Sequence, residues 1–113
     1  MKKLILVIAV LLSGCAFIFP KPHDPVMFDR AIAIDIKINK INCSNKDWDS
    51  LIDDVHHLKV YTEVRGDPQS KGIAQLEEAL TKAKDSKSEK FCESIINLQK
   101  TRIKVVQDAW RGR

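Results

Sequence analysis

One short stretch gathers side chains able to bind metal or move protons: Asp53-Asp54-Val55-His56-His57. On a helix Asp53 and His57 stand four residues apart on one face, a spacing at which two side chains reach one ion. Two ligands do not complete a tetrahedral site, and the remaining histidine, His23, lies among prolines. Both also point away from the apolar arc of Trp48, Leu51 and Leu58, so a solvated charged face is expected, with no metal. No serine has a histidine and an acid at recognisable spacing, no glycine-rich loop would cradle a phosphate, and no Cys-x-x-Cys-His would hold haem. Glu77-Glu78 fit a solvated helical surface. The reading is therefore a protein without catalytic residues or cofactor, and four short helices leave little room for a substrate pocket.

The cysteines carry a different kind of chemistry. Lys2 and Lys3 give a positive start, residues 4–12 are an unbroken apolar run, and small Ser13 and Gly14 precede Cys15. These are the three parts of a secretory signal peptide, and the run is far short of the ~20 residues that span a bilayer. Leu12-Ser13-Gly14-Cys15 resembles the lipobox of bacterial lipoprotein precursors. That resemblance implies cleavage before Cys15, acylation of its sulfur and its new amine, and anchoring to a membrane by acyl chains, each CH₂ contributing ~0.8 kcal/mol. It also implies, since Ala16 is not the aspartate that retains such proteins at the inner membrane, the inner leaflet of an outer membrane facing the periplasm. Residues 1–14 are then the signal peptide, 15–25 the lipidated cysteine and a tether, and 26–113 the domain.

Of the three cysteines, Cys43 and Cys92 remain as an even pair in an oxidising compartment. A disulfide between them closes a loop of about fifty residues, a stabilisation of ~4 kcal/mol by chain entropy. Lys2 and Lys3 supply half of the formal net charge of +4, so no nucleic-acid footprint is read from the basic balance. Roughly a hundred residues after Cys15 suffice for one small domain.

Three prolines in residues 20–25 make the tether stiff and extended, and Phe17, Ile18 and Phe19 either touch the headgroups or cover the domain's end. Asp24-Pro25 is a helix start, with Met27, Ala31, Ile34, Ile38 and Ile41 on one face. Ile32, Ile34, Ile36 and Ile38 also alternate as a strand would. The cap, the length to about residue 42 and the lack of a partner strand favour helix. Isoleucines on several faces then predict the central, most enclosed helix of a bundle.

A second helix from near Asp47 presents Trp48, Leu51, Ile52, Val55 and Leu58, and Gly66 ends it. Asp67-Pro68 repeats the capping device for a third, with Ile73, Leu76, Leu80 and Ala83, weakened by Gly72. Ser88 caps the last, whose wide stripe runs from Phe91 through Leu98 and Val105 to Trp110, with Gly112 just past its end. Four amphipathic helices and no strand pattern predict an all-α antiparallel four-helix bundle. That topology brings Cys43, after the first helix, to the pole where Cys92 begins the last.

What remains is surface. Val60, Tyr61 and Val64 lie on the outward side of the second helix, where polar groups belong, and read either as a partner-binding stripe or as residues covered by a neighbouring helix. The expected function is a membrane-anchored envelope lipoprotein binding another protein or the cell wall. Small lipoproteins of this outline are also encoded by bacteriophages, which would imply the outer-membrane, spanin-like partner of a lysis complex or a superinfection blocker. Prolines confined to Pro25 and before, apart from Pro68, argue against the lysis role. An inhibitor of an envelope enzyme or a chaperone fits the same outline.

Overall fold

The computed structural model describes residues 22–113, and within them four helices follow one another: α1 (Pro25–Lys40), α2 (Asp49–Val64), α3 (Ser70–Asp85) and α4 (Glu89–Arg111). The signal segment, Cys15 and the tether as far as residue 21 lie outside the described residues.

Local signals set most of the boundaries. Asp24 caps α1, its Oδ1 accepting from the backbone N–H groups of Val26 (2.9 Å) and Met27 (3.2 Å), and Pro25 takes the first helical position. Ser88 caps α4 in the same way, its Oγ accepting from the Phe91 N–H at 3.3 Å. Gly66 ends α2 at φ 65°, the left-handed conformation that a side chain would oppose. Two signals are used differently from expectation. The chain turns at Asp67-Pro68 and enters α3 only at Ser70; Asp67 still receives the Gln69 N–H on its carboxylate at 2.9 Å and the Ser70 N–H on its carbonyl, while the same carboxylate holds Trp110. Gly112 keeps a right-handed φ of −75° and closes α4 through its N–H on the Asp108 carbonyl.

The alternating isoleucines are helical throughout. Met27, Ala31, Ile34 and Ile38 are buried, while Ile32 and Ile36 are exposed. The expectation of an enclosed central helix is therefore wrong. A helix at the corner of a square buries one stripe, and Ile36 sits half a turn from it.

The square follows from which helices touch. α1 packs on α2 and α4, α3 packs on α2 and α4, and neither diagonal pair approaches closely. With short links this is the antiparallel four-helix bundle the sequence predicts. Each helix contributes one buried row, and the row of α2 continues past Leu58 to Thr62, that of α4 through Gln99. Both polar members satisfy themselves locally: Thr62 donates to the Lys59 carbonyl and Gln99 to the Ile95 carbonyl. Each fully buried Leu or Ile contributes roughly 1.5–3 kcal/mol.

A tryptophan closes each pole. Trp48 is buried beside the α1–α2 turn and donates its indole N–H to the Asn42 carbonyl at 3.2 Å. Trp110 is buried at the opposite pole and donates to Asp67 Oδ1, also at 3.2 Å. At the Trp48 pole Cys43 and Cys92 form a disulfide with Cα atoms 6.1 Å apart.

Candidate functional site

The stripe on α2 is the surface that the sequence singles out, and the helix splits it. With Leu51, Val55, Leu58 and Thr62 turned inward, Val60 and Val64 point to the opposite side and are 45% and 82% exposed. No neighbouring helix covers them. Tyr61 is turned a quarter of the circumference away, packs against the core and donates its hydroxyl to Asp24 Oδ2 at 3.0 Å. The tyrosine belongs to the bundle's end, and the two valines form the open surface.

That end is built from buried charge. Asp24, 8% exposed, is met by the Tyr61 hydroxyl, by Arg65 Nε at 3.0 Å and by the two N–H groups it caps. Asp67, 3% exposed, accepts from the Gln69 N–H at 2.9 Å, from Trp110 and from the Arg113 guanidinium. His23 Nδ1 lies 3.2 Å from the Trp110 carbonyl oxygen, which makes the nitrogen the donor. Residues 23 and 24, assigned by sequence to the tether, thus belong to the bundle.

Burial pushes the carboxyl of Asp24 up, but the N–H of Met27, the Tyr61 hydroxyl, the N–H of Val26 and the charge of Arg65 together outweigh it. The pKa falls below the ordinary aspartate value. Burial likewise raises Asp67, and Arg113, the Gln69 N–H and Trp110 reverse the effect and leave it lowered. The hydrogen bond to Asp24 raises Tyr61, since the bond requires the phenol proton. Both aspartates are held as anions by surrounding donors, and neither is poised to exchange a proton near neutrality. Sequence shows Asp24 and Asp67 as helix starts; their long-range partners, Tyr61, Arg65, Trp110 and Arg113, carry no local signal.

The Asp53–His57 stretch is dispersed. Asp53 and His57 are exposed, Asp54 pairs with Lys37, and His56 Nδ1 meets Glu77 Oε1 of α3 at 2.9 Å. Among the described residues no group of three or more His, Cys, Asp or Glu is placed to hold a metal ion. No described helix is long and apolar enough to cross a membrane.

The concavities are open grooves between helices. One, of about 240 Å³, lies beside the disulfide between Ile41 and Lys100. A larger one, of about 430 Å³, runs between α3 and α4 past Gly72, Leu98 and Val105. It was not anticipated. The apolar stripe of α4 looked like core, yet Phe91, Leu98 and Val105 are all more than half exposed. Comparison with known proteins returns no match, whether with family models, curated proteins or solved structures.

Proposed function

We propose that the chain is a lipoprotein of the bacterial envelope, held at a membrane by acyl chains on Cys15 and acting by binding another protein rather than by catalysis. The observation that carries the reading is the run Lys2-Lys3, nine apolar residues and Leu12-Ser13-Gly14-Cys15. Two features support it. A disulfide between Cys43 and Cys92 persists outside the reducing cytosol, and Val60 and Val64 leave an apolar ridge in water, as a docking surface does.

The geometry suits an anchored module. From Cys15 to His23 the chain reaches at most about 29 Å if fully extended, so the pole containing Asp24 and Trp110 faces the bilayer. The disulfide pole is then the distal one. Ala16 directs the protein to the outer membrane, on its periplasmic side.

Intact-mass spectrometry of protein extracted from membranes tests the reading. The expected product begins at an acylated Cys15, and Cys15→Ser moves the protein out of the membrane fraction. A soluble product retaining Met1, with Cys43 and Cys92 alkylated before any reductant is added, would overturn it. Binding is tested by capture of envelope proteins with the wild type and with Val64→Lys, which should lose its partner at unchanged melting temperature.

A further inference from the structure

Two uncovered surfaces lie on the diagonal helices of the square, and they differ in shape and charge. The first is a ridge on α2. Asp53, His57, Val60 and Val64 follow at steps of four, three and four, the spacing of a helix-to-helix seam, and point away from the core. Asp53 within it and Glu63 beside it are exposed, and neither has a cationic partner among the described residues.

The second is the groove between α3 and α4. The buried row of α4, from Cys92 to Trp110, steps by four and three, and a second row one residue earlier repeats that spacing. In it Ile95, Arg102 and Ala109 are half-buried, whereas Phe91, Leu98 and Val105 are open to solvent. α3 does not cover them because it faces α4 with Gly72 and Ala79. A Cβ added at Gly72 would make ordinary contact with Val106 at 3.8 Å and with the Gln69 side chain at 3.9 Å. The groove of about 430 Å³ under Leu98 and Val105 continues as another of about 300 Å³ toward Ile95. Arg102 lines both grooves with no carboxylate partner among the described residues, while Lys82 is held by Glu78 at 3.2 Å.

An apolar row at heptad spacing is completed by another helix, and an unpaired guanidinium at its edge selects an anionic one. The α2 ridge offers Val60 and Val64 as the apolar members at that spacing, with Asp53 and Glu63 as the anions. The exposed isoleucines of α1 lack the negative charge, since Asp29 is offset there by Arg30 and Lys40. We propose that the α2 ridge of one copy seats in the α3–α4 groove of a second copy, with Asp53 and Glu63 of the first meeting Arg102 of the next. Ridge and groove occupy different sides of the molecule, so the contact is head to tail and leaves a free ridge and a free groove on every dimer. The inference deepens the docking reading of Val60 and Val64 and rests on it.

The test is sedimentation equilibrium of the purified full-length protein in density-matched nonionic detergent. The mean mass should rise above that of the monomer between about 10 µM and 1 mM, the range of a small specific interface. It should fall as salt is raised from about 0.05 to 0.5 M, where screening weakens the charge pairs. Leu98→Glu and Val64→Lys should each give a monomer with unchanged melting, and their equimolar mixture should give a dimer that grows no further, because each variant keeps one working face. Should either fail to fold, Arg102→Glu and Glu63→Lys replace them: each alone sets like charges against each other and should stay monomeric, and their mixture, which restores opposite charges at both contacts, should associate. A wild type that stays monomeric throughout overturns the proposal. So does a pair of variants that each self-associate as the wild type does, or whose mixture stays monomeric. A monomeric wild type that captures a different envelope protein through Val64 would sink self-association and leave the docking reading standing.

Discussion

At one end of the bundle Cys43 ties the turn after α1 to the first turn of α4 by a covalent bond, and the charged groups around it, Lys46, Asp47, Lys87 and Glu89, are at the surface. At the other end no covalent link is present among the described residues, and two buried carboxylates gather the ends of all four helices. Asp24 joins α1 to α2 through Tyr61 and Arg65; Asp67 joins the start of α3 to the end of α4 through Trp110 and Arg113. The first closure responds to reductant and is indifferent to pH. The second is indifferent to reductant and depends on both aspartates being ionised.

The largest effect separating the two ends should come from the disulfide. Reduction, or Cys43→Ser with Cys92→Ser, frees a loop spanning 49 positions and should cost about 4 kcal/mol by the chain-entropy argument. The urea midpoint of unfolding, measured with and without reductant, reads it directly. Against a total of about 5–15 kcal/mol this is a large share. A loss under about 1 kcal/mol would mean that packing of Trp48 alone closes that pole.

Next is the ion pair at the other end. Arg113→Ala leaves the Asp67 carboxylate nearly buried with one cation fewer, and a loss of about 2–3 kcal/mol is expected, somewhat below that of a pair fully sealed from water. Arg113→Lys should recover part of it, since a point charge cannot engage both carboxylate oxygens as the guanidinium does. Neither substitution should alter the ease with which the disulfide is reduced, because the two sites lie at opposite poles.

Acid sharpens the contrast. Asp24 and Asp67 titrate lower in the folded chain than in the unfolded one, where the ordinary value is about 3.9. Between the two values the unfolded state binds more protons, so the stabilisation is complete above about pH 5 and lost as pH falls through the folded pKa values. Midpoints measured from pH 7 down to pH 2 should therefore drop steeply below about pH 4. Asp67→Asn should make that drop shallower, while the change on reduction should stay constant across the series.

How far the sequence goes is visible in the same contrast. The helices are legible because a period of 3.6 residues is written locally, in Ile73, Leu76, Leu80 and Ala83 or in Leu51, Val55 and Leu58. The disulfide follows once the helices alternate, because up-down topology places Cys43 and Cys92 at one pole. Buried Gln99 and Thr62 could have been read from the period, but residue type argued the other way. The polar end is not legible, since Asp67 and Arg113 are 46 positions apart and nothing near either announces the other. Ile32, Ile36, Leu98 and Val105 mislead for a related reason: hydrophobicity says that a side chain seeks cover, not that this chain supplies it.

A smaller effect is expected at Gly66, which joins α2 to the polar end. At φ 65° an alanine meets no neighbouring atom but is strained by its own backbone, so Gly66→Ala should cost about 1 kcal/mol without changing the pH profile.

The smallest effect belongs to Tyr61→Phe, and it is the most discriminating. The ring keeps its packing and loses one hydrogen bond to a carboxylate that retains Arg65 and two N–H donors, a cost of about 1 kcal/mol or less. With one donor gone, Asp24 should titrate higher, and the acid-induced loss of stability should begin at a higher pH than in the wild type. Chemical-shift titration of the Asp24 carboxyl reads this without reference to stability. The hydroxyl points into the bundle's end, so the same substitution should leave association through Val60 and Val64 unchanged. If Tyr61→Phe abolished association as Val64→Lys is expected to, the tyrosine would have to swing outward on binding and break its bond to Asp24, and the polar end would be part of the interface rather than a separate closure.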